Sequence, residues 1–321
     1  RAIWARRMMH RDWYDLRDTD RMLHAGAFNW TFTLGTGLLD PWSVGATALI
    51  PRAGTDPAQL PLLMKRYEAT LFAAAPGVFR KVLQAPVPAL PKLRHGLAAG
   101  EKLSEKLRAT WQDATGTPVH EAFGMTECST FVSSAPGRPA ADGCLGAPQA
   151  GRRVAVLDEH GAPVPRGTAG TIAIHRSDPG LMLGYVDAPD ETAARMRGDW
   201  FVTGDRGVMR ADGQIEYVGR TDDMMNAGGY RVSPLEVEAA LADLPGLDEI
   251  AVTDIAVKEG VRVIAAFCVS SAPLDTDALA AAAADRLARY KQPRAWIRLA
   301  ALPRSANGKL VRSALADAPR A

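Results

Sequence analysis

Residues 23–99 alternate short apolar runs with stretches whose apolar positions recur at helical spacing. GATALIP (residues 45–51) and ATLFAAAP (69–76) read as buried strands that stop at Pro51 and Pro76. DPAQLPLLMKRYEA (56–69) and GVFRKVLQ (77–84) read as helices, and strands alternating with helices predict parallel α/β layers. The next helix is expected to begin at Ser104 as N-cap, place Leu107, Trp111 and Ala114 on one face, and stop at Gly116. From about Gly143 the pattern changes to short strands and polar turns. RRVAVLDEHGAPV and GTIAIHR predict hairpins, and WFVTGDRGVMRADGQIEYVGR places an Asp212-Gly213 turn between two strands, so a small β domain or barrel is expected.

After Arg220 the pattern becomes compact α+β. In SPLEVEAAL, Ser233 is the N-cap, Pro234 the first helical residue and Glu236 the N3 partner of a capping box. Strands EIAVTDIAV and RVIAAFCVS, an Ala-rich helix over residues 276–290 and a short strand over 295–299 follow. The boundary is placed at residues 220–223, giving a large domain over 1–220, β-rich from about 143, and a small one over 221–321.

Composition narrows the function classes. The chain has 321 residues, 47% hydrophobic and 23% charged, as in an ordinary globular protein of about two domains. Its 38 Lys and Arg against 36 Asp and Glu give a net charge of +2, which argues against nucleic acid as a partner. Arg1, Arg6, Arg7 and Arg11, around Trp4 and Trp13, are read as a solvated amphipathic helix rather than a nucleic-acid arm. Cys128, Cys144 and Cys268 lack metal-ligand spacing and point to a reducing, cytoplasmic setting. The most apolar long stretch, residues 23–50, is broken by Asn29, several Gly and Thr, Asp40 and Pro41, so no integral membrane segment is expected.

Four stretches carry the chemistry: EAFGMTE (121–127), WFVTGD (200–205), GRTDDMMNAGGYRVSPLEVE (219–238) and PRSANGK (303–309). In this order the chain resembles the adenylate-forming (ANL) superfamily of acyl-CoA synthetases, luciferases and peptide-synthetase adenylation domains. The resemblance covers nearly the whole chain. It implies α/β layers and a small β-barrel belonging to a large AMP-binding domain, then a small mobile α+β domain with a catalytic lysine.

By that resemblance, Phe123, where the family has Tyr, would stack on adenine. Thr126 would donate to a phosphate oxygen, and Glu127 would offer oxygens to Mg2+. A Gly124 turn is expected to end the strand, and an isolated copy of the motif is equally explained by a capped turn with Phe123 in the core. Glu121 and Ala122, with Gly100, Glu101 and Lys102 of AAGEK (98–102), match the segments around the nucleotide, and Ala99 and Met125 match the acyl pocket. Asp205, expected after a Thr203-Gly204 turn at a strand end, suits a ribose, since one carboxylate can accept from both sugar hydroxyls. A plain turn aspartate explains an isolated TGD as well. Arg220 would sit beside ribose and phosphate, Arg231 would reach phosphate, Asp222 would be the domain hinge, and Gly228 and Gly229 would border the path of coenzyme A. Lys309 would bridge carboxylate and phosphate oxygens during adenylation.

HAGAFNWTFTLGTG (24–37) occupies the place where the family lines its acyl pocket, with Phe28 or Trp30 as an apolar wall, and its wording is similar to benzoate-type and medium-chain enzymes. Core packing explains those aromatics too. The family's Ser/Thr/Gly-rich phosphate loop has no counterpart here, and the chain opens at Arg1 inside a helix; the expectation is the C-terminal two thirds of a longer enzyme. The implied activity is an ATP-dependent carboxylate:CoA ligase using ATP, Mg2+, coenzyme A and a small carboxylic acid, and a homodimer is among the assemblies the resemblance allows. The alternatives are an adenylation domain loading a carrier protein and a catalytically inactive binding module.

Overall fold

The computed structural model describes residues 1–227, 230–258, 261–305 and 309–319. The chain divides into two compact units, Arg1–Tyr217 and Val218–Ala321.

In the first unit seven strands form one sheet: β1 (Arg21–Ala25), β2 (Thr47–Leu49), β3 (Leu71–Ala74), β4 (His95–Ala99), β5 (Val119–Met125), β6 (Ser129–Ser133) and β7 (Ala147–Pro148), in the order β2-β1-β3-β4-β5-β6-β7. Strands β1 to β5 pair in parallel, and β6 and β7 add antiparallel. Every residue of β3 and β4 is buried. This is why those segments read as unbroken apolar runs: a parallel strand is covered on both faces. On one face Phe72, Phe79 and Trp111 pack ring on ring, drawing the helices Pro76–Val82 and Glu105–Thr115 onto the sheet. The Ser104 cap forms as expected, its hydroxyl accepting from Leu107 N, and Gly116 ends the helix in the left-handed region. Leu107 and Trp111 are buried, but Ala114 is exposed.

The N-terminal helix differs from its expected solvated character. Ala2–Met9 continues into a π-helical turn, His10–Tyr14, and Met9, Trp13 and Tyr14 are fully buried. Arg6 is buried too, with Nε 2.9 Å from Asp40 Oδ1 and Nη2 2.6 Å from Oδ2. Tyr14 donates to the same carboxylate at 2.9 Å. Burial disfavours the charge on Asp40, yet the Arg6 guanidinium and the hydrogen bonds of Arg6 and Tyr14, with His10 Nε2 3.8 Å away, outweigh it and hold the carboxyl below its usual range. A charge pattern on a helix cannot reveal an acidic partner 34 residues away in sequence, and this is the physical reason for the difference.

The second sheet comprises β8 (Val154–Leu157), β9 (Ala169–His175), β10 (Met196–Arg197), β11 (Trp200–Met209) and β12 (Ile215–Arg220), ordered β10-β11-β9-β8 with β12 also on β11. The β8–β9 hairpin and the Asp212-Gly213 turn are as expected. β7 still belongs to the first sheet, so the new pattern near Gly143 precedes the change of sheet.

The second unit opens with the antiparallel pair β13 (Met225–Ala227) and β14 (Tyr230–Val232), followed by the helix Pro234–Leu241. Ser233 caps that helix from its Oγ to Glu236 N, while the Glu236 carboxylate pairs with Lys291. β15 (Glu249–Lys258) and β16 (Val261–Val269) are antiparallel, and β17 (Ala295–Leu299) joins β16 in parallel. The Ala-rich helix spans Thr276–Arg286, four residues short of the expected end, because Leu287 turns to an extended conformation.

Candidate functional site

β5 carries the AFGMTE motif, and the strand does not end at Gly124. It runs to Met125 with an irregularity between Phe123 and Gly124, and the turn is residues 126–128. A Cβ on Gly124 would lie 2.3 Å from Ser129 O and 2.4 Å from Thr130 Cα, so glycine is needed for the close approach of β6 rather than for a turn. Thr126 is exposed and Glu127 half-buried at the tip. Tyr185 Oη donates to Glu127 Oε1 at 2.7 Å, and Met182 N donates to Glu127 O at 2.6 Å, fixing side chain and backbone together.

Asp205 lies inside β11, not at a strand end. The β9–β11 register shifts between Val202 and Arg206, and Gly204 takes a φ of +83° within that irregularity. Asp205 is buried; its amide bonds Thr203 Oγ1 at 3.0 Å, and Thr203 in turn donates to Ile172 O at 2.8 Å. Tyr217 Oη donates to Asp205 Oδ1 at 2.7 Å, and the Tyr217 ring centroid is 5.3 Å from that of Phe123. The fold thus joins the two motifs through Tyr217, a residue that no sequence motif marks. Phe123 also packs edge-on to Phe131 at 5.2 Å, so its ring lies between the Phe131 cluster and Tyr217.

The remaining first-unit candidates separate by environment. Ala99 and Ala122 are buried, and Met125 is partly buried against the Phe131 cluster. Gly100 follows β4 with a φ of +98°, Glu101 lies 3.8 Å from Arg80, and Lys102 is exposed. Glu121 is buried, with its carboxylate accepting from Leu103 N at 2.9 Å and facing Arg108 at 3.3 Å. Its side chain is therefore engaged by the helix over residues 105–115 and its approach, while its backbone N and O are both bonded to Ser134. Trp30 packs edge-on to Phe32 at 5.1 Å, whereas Phe28 is exposed.

In the second unit Arg220 and Asp222 form a two-bond ion pair at 2.8 and 3.1 Å, and Arg231 donates to Thr221 O at 3.0 Å. Lys309 is exposed at the base of a small hairpin, where Ser305 N bonds Lys309 O at 2.8 Å and Arg304 bridges to Leu310. Gly228 and Gly229, and residues 306–308 ahead of Lys309, lie outside the described residues.

Residues 1–186 match the AMP-binding enzyme family, and residues 236–309 match the AMP-binding enzyme C-terminal domain. The chain belongs to the AMP-binding enzyme family. Among curated relatives, it is 31% identical over 320 residues to the mitochondrial acyl-coenzyme A synthetase ACSM3 of Rattus norvegicus, covering 95% of this chain and 55% of the relative. It is 32% identical to the mitochondrial acyl-coenzyme A synthetase ACSM4 of Homo sapiens, covering 96% and 55%. The chain spans about half the length of the curated relatives it matches. Among solved AMP-binding enzymes it resembles a benzoate CoA ligase from Burkholderia xenovorans LB400, with TM-score 0.87 and 29% identity over 97% of this chain and 64% of that one. It also resembles ATP-bound MatB from Rhodopseudomonas palustris, with TM-score 0.90 and 26% identity over 98% and 63%. These likenesses bear out the superfamily and the mixed α/β and α+β fold read from the four motifs. Among the described residues no helix is long and apolar enough to cross a membrane.

Proposed function

We propose that the protein is an ATP-dependent carboxylate:CoA ligase that passes through an acyl-adenylate. The observation that carries this reading is the Phe123–Tyr217–Asp205 group, set three residues before the turn that bears Thr126 and Glu127. An aromatic pair beside a buried carboxylate suits a nucleoside: the rings take the base, and Asp205, held by Tyr217 and by the Thr203 bond to its amide, takes the sugar hydroxyls. In the first half-reaction a carboxylate oxygen of the acid attacks the α-phosphorus and the bond to pyrophosphate breaks. In the second, the sulfur of coenzyme A attacks the acyl carbon and AMP leaves.

Two anions approach in the first step, and Lys309 supplies the positive charge that offsets their repulsion. Arg220 and Arg231 are further phosphate-side cations, and the exposed Arg220–Asp222 pair marks the pivot on which the second unit would change its presentation. Mg2+, when bound, would neutralise phosphate charge, with Glu127 as its protein ligand. Among the described residues no cluster of three or more His, Cys, Asp or Glu could hold a metal, and one carboxylate fits Mg2+, which usually takes one or two together with phosphates and water. Gly228 and Gly229 border the thiol path in this reading. The acid is an aromatic or medium-chain carboxylate, with Trp30 and Phe28 on the wall of its pocket. Benzoate CoA ligase and an anthranilate CoA ligase solved with anthranoyl-AMP, 28% identical, support the aromatic choice. Cytoplasmic placement rests on cysteine usage, whereas the curated relatives are named mitochondrial.

Titration calorimetry with AMP tests the nucleoside assignment. Asp205→Asn should weaken binding about 10- to 100-fold, as expected for a lost charge-assisted bond of roughly 1.5–3 kcal/mol, and Tyr217→Phe should weaken it less. Unchanged affinity in both variants would sink the assignment. Lys309→Ala should slow acyl-adenylate formation about 100- to 1,000-fold while supplied acyl-adenylate is still converted to acyl-CoA; equal damage to both steps would make the lysine structural.

A further inference from the structure

The carboxylate at the turn tip is held by neighbours that the motif does not contain. Arg152, just before β8, and Asp178, in the loop after β9, form an ion pair whose two side chains are both 0% exposed, with Arg152 Nε 3.2 Å from Asp178 Oδ2. Arg152 Nη2 donates to Cys128 O at 2.8 Å, at the end of the 126–128 turn. Asp178 accepts from Arg153 N at 2.9 Å and Gly180 N at 2.8 Å, which folds its loop around the guanidinium. A Cβ on Gly180 would lie 2.4 Å from Arg152 Nη1, so a side chain there would push the guanidinium aside. The same loop then presents Met182 N to Glu127 O and Tyr185 Oη to Glu127 Oε1.

We infer that Arg152 and Asp178 are positioning residues that brace the 126–128 turn and so aim Glu127 at the metal–phosphate end of the nucleotide, an inference that rests on the proposed role of Glu127. Two arms reach the turn from one buried pair: the guanidinium grips the Cys128 carbonyl, and the loop closed by Asp178 grips Glu127. The turn needs such restraint because Ser129, the first residue of β6 after it, has a φ of +59°, a left-handed conformation that a non-glycine residue rarely adopts unaided. Stability alone does not account for the pair. Taking both charges from water is costly, and apolar replacements of similar size commonly serve as well. What an apolar pair would not supply is the donor to Cys128 O.

The test uses a double variant, Arg152→Met with Asp178→Asn, which removes both charges together and leaves an acceptor for Gly180 N. It should melt within a few degrees of the parent, yet the amides of residues 126–129 should exchange with deuterium at least about tenfold faster. The gain in ATP affinity on adding Mg2+ should fall about tenfold, while AMP affinity stays unchanged, because AMP calls on Asp205 and Tyr217. A folded double variant with parental exchange at the turn and parental Mg2+ dependence overturns the inference, as does an equal loss for AMP and Mg2+–ATP. If the double variant does not fold, Gly180→Ala, which displaces the guanidinium, is measured in the same two ways, and parental behaviour in both again overturns the inference. Glu127→Gln separates the two layers: if it leaves the Mg2+ effect intact, the metal role of Glu127 is lost, and exchange at the turn alone still decides whether the brace exists.

Discussion

Glu121 carries its carboxyl where a charge is disfavoured. Burial raises its pKa to about 7, against the lowering effects of Leu103 N and of Arg108 and Lys102. The folded state therefore holds a proton on Glu121 that the unfolded chain has released between the ordinary carboxylate range and about pH 7. Stability from this group is fully present below the unfolded value and is lost as pH rises through about 7. Glu121→Gln should reduce the fall in melting temperature between pH 5 and pH 8; a variant with the parental slope would remove Glu121 as its source. At this scale the sequence exposes residue types but not their partners. Asp205 and Phe123 are legible from their motifs, whereas Tyr217 is not, because one aromatic in QIEYVGR carries no sign that its hydroxyl meets a carboxylate 12 residues earlier.

The element that most shapes the site is β5 with its turn and β6. A strand leading to Gly124 is legible from pattern, but β6, with the sequence STFVS, and the place where the two close together are not. Gly124 has the composition of a turn residue, and it is instead the point where β6 backbone crosses nearest. Gly124→Ala should destabilise the first unit by about 1–3 kcal/mol, because the atoms it meets are backbone and cannot rotate away, and thermal melting would show this as a lower midpoint. An unchanged midpoint would mean that β5 and β6 part without cost. Helix caps are more legible. Ser104 and Ser233 act within three residues of themselves, so their local sequence contains the whole interaction. The irregularity in β11 is less accessible: Thr203-Gly204 also has the composition of a turn, but pairing with β9 on both sides carries the strand through it.

For the molecule as a whole, the contact pattern divides at residues 217–218, and the proposed pivot at Asp222 follows closely. Mild trypsin treatment should cut first after Arg220 and release a C-terminal piece that stays folded on its own core of Val237, Leu241, Val252 and Ile264. Cleavage spread evenly along the chain would argue against a pivot there. Sequence by itself determined the change from parallel layers to hairpins to α+β, the helix caps, and the four motifs that mark the family. These depend on periodicity and on contacts between near neighbours. Only the tertiary structure decided that Arg6 is buried against Asp40, that Tyr217 links Phe123 to Asp205, and that Arg152 reaches the Cys128 carbonyl. Each is a contact between residues from 12 to 94 positions apart, and a side chain's partner across such distances is set by strand pairing and layer packing, which no local pattern encodes.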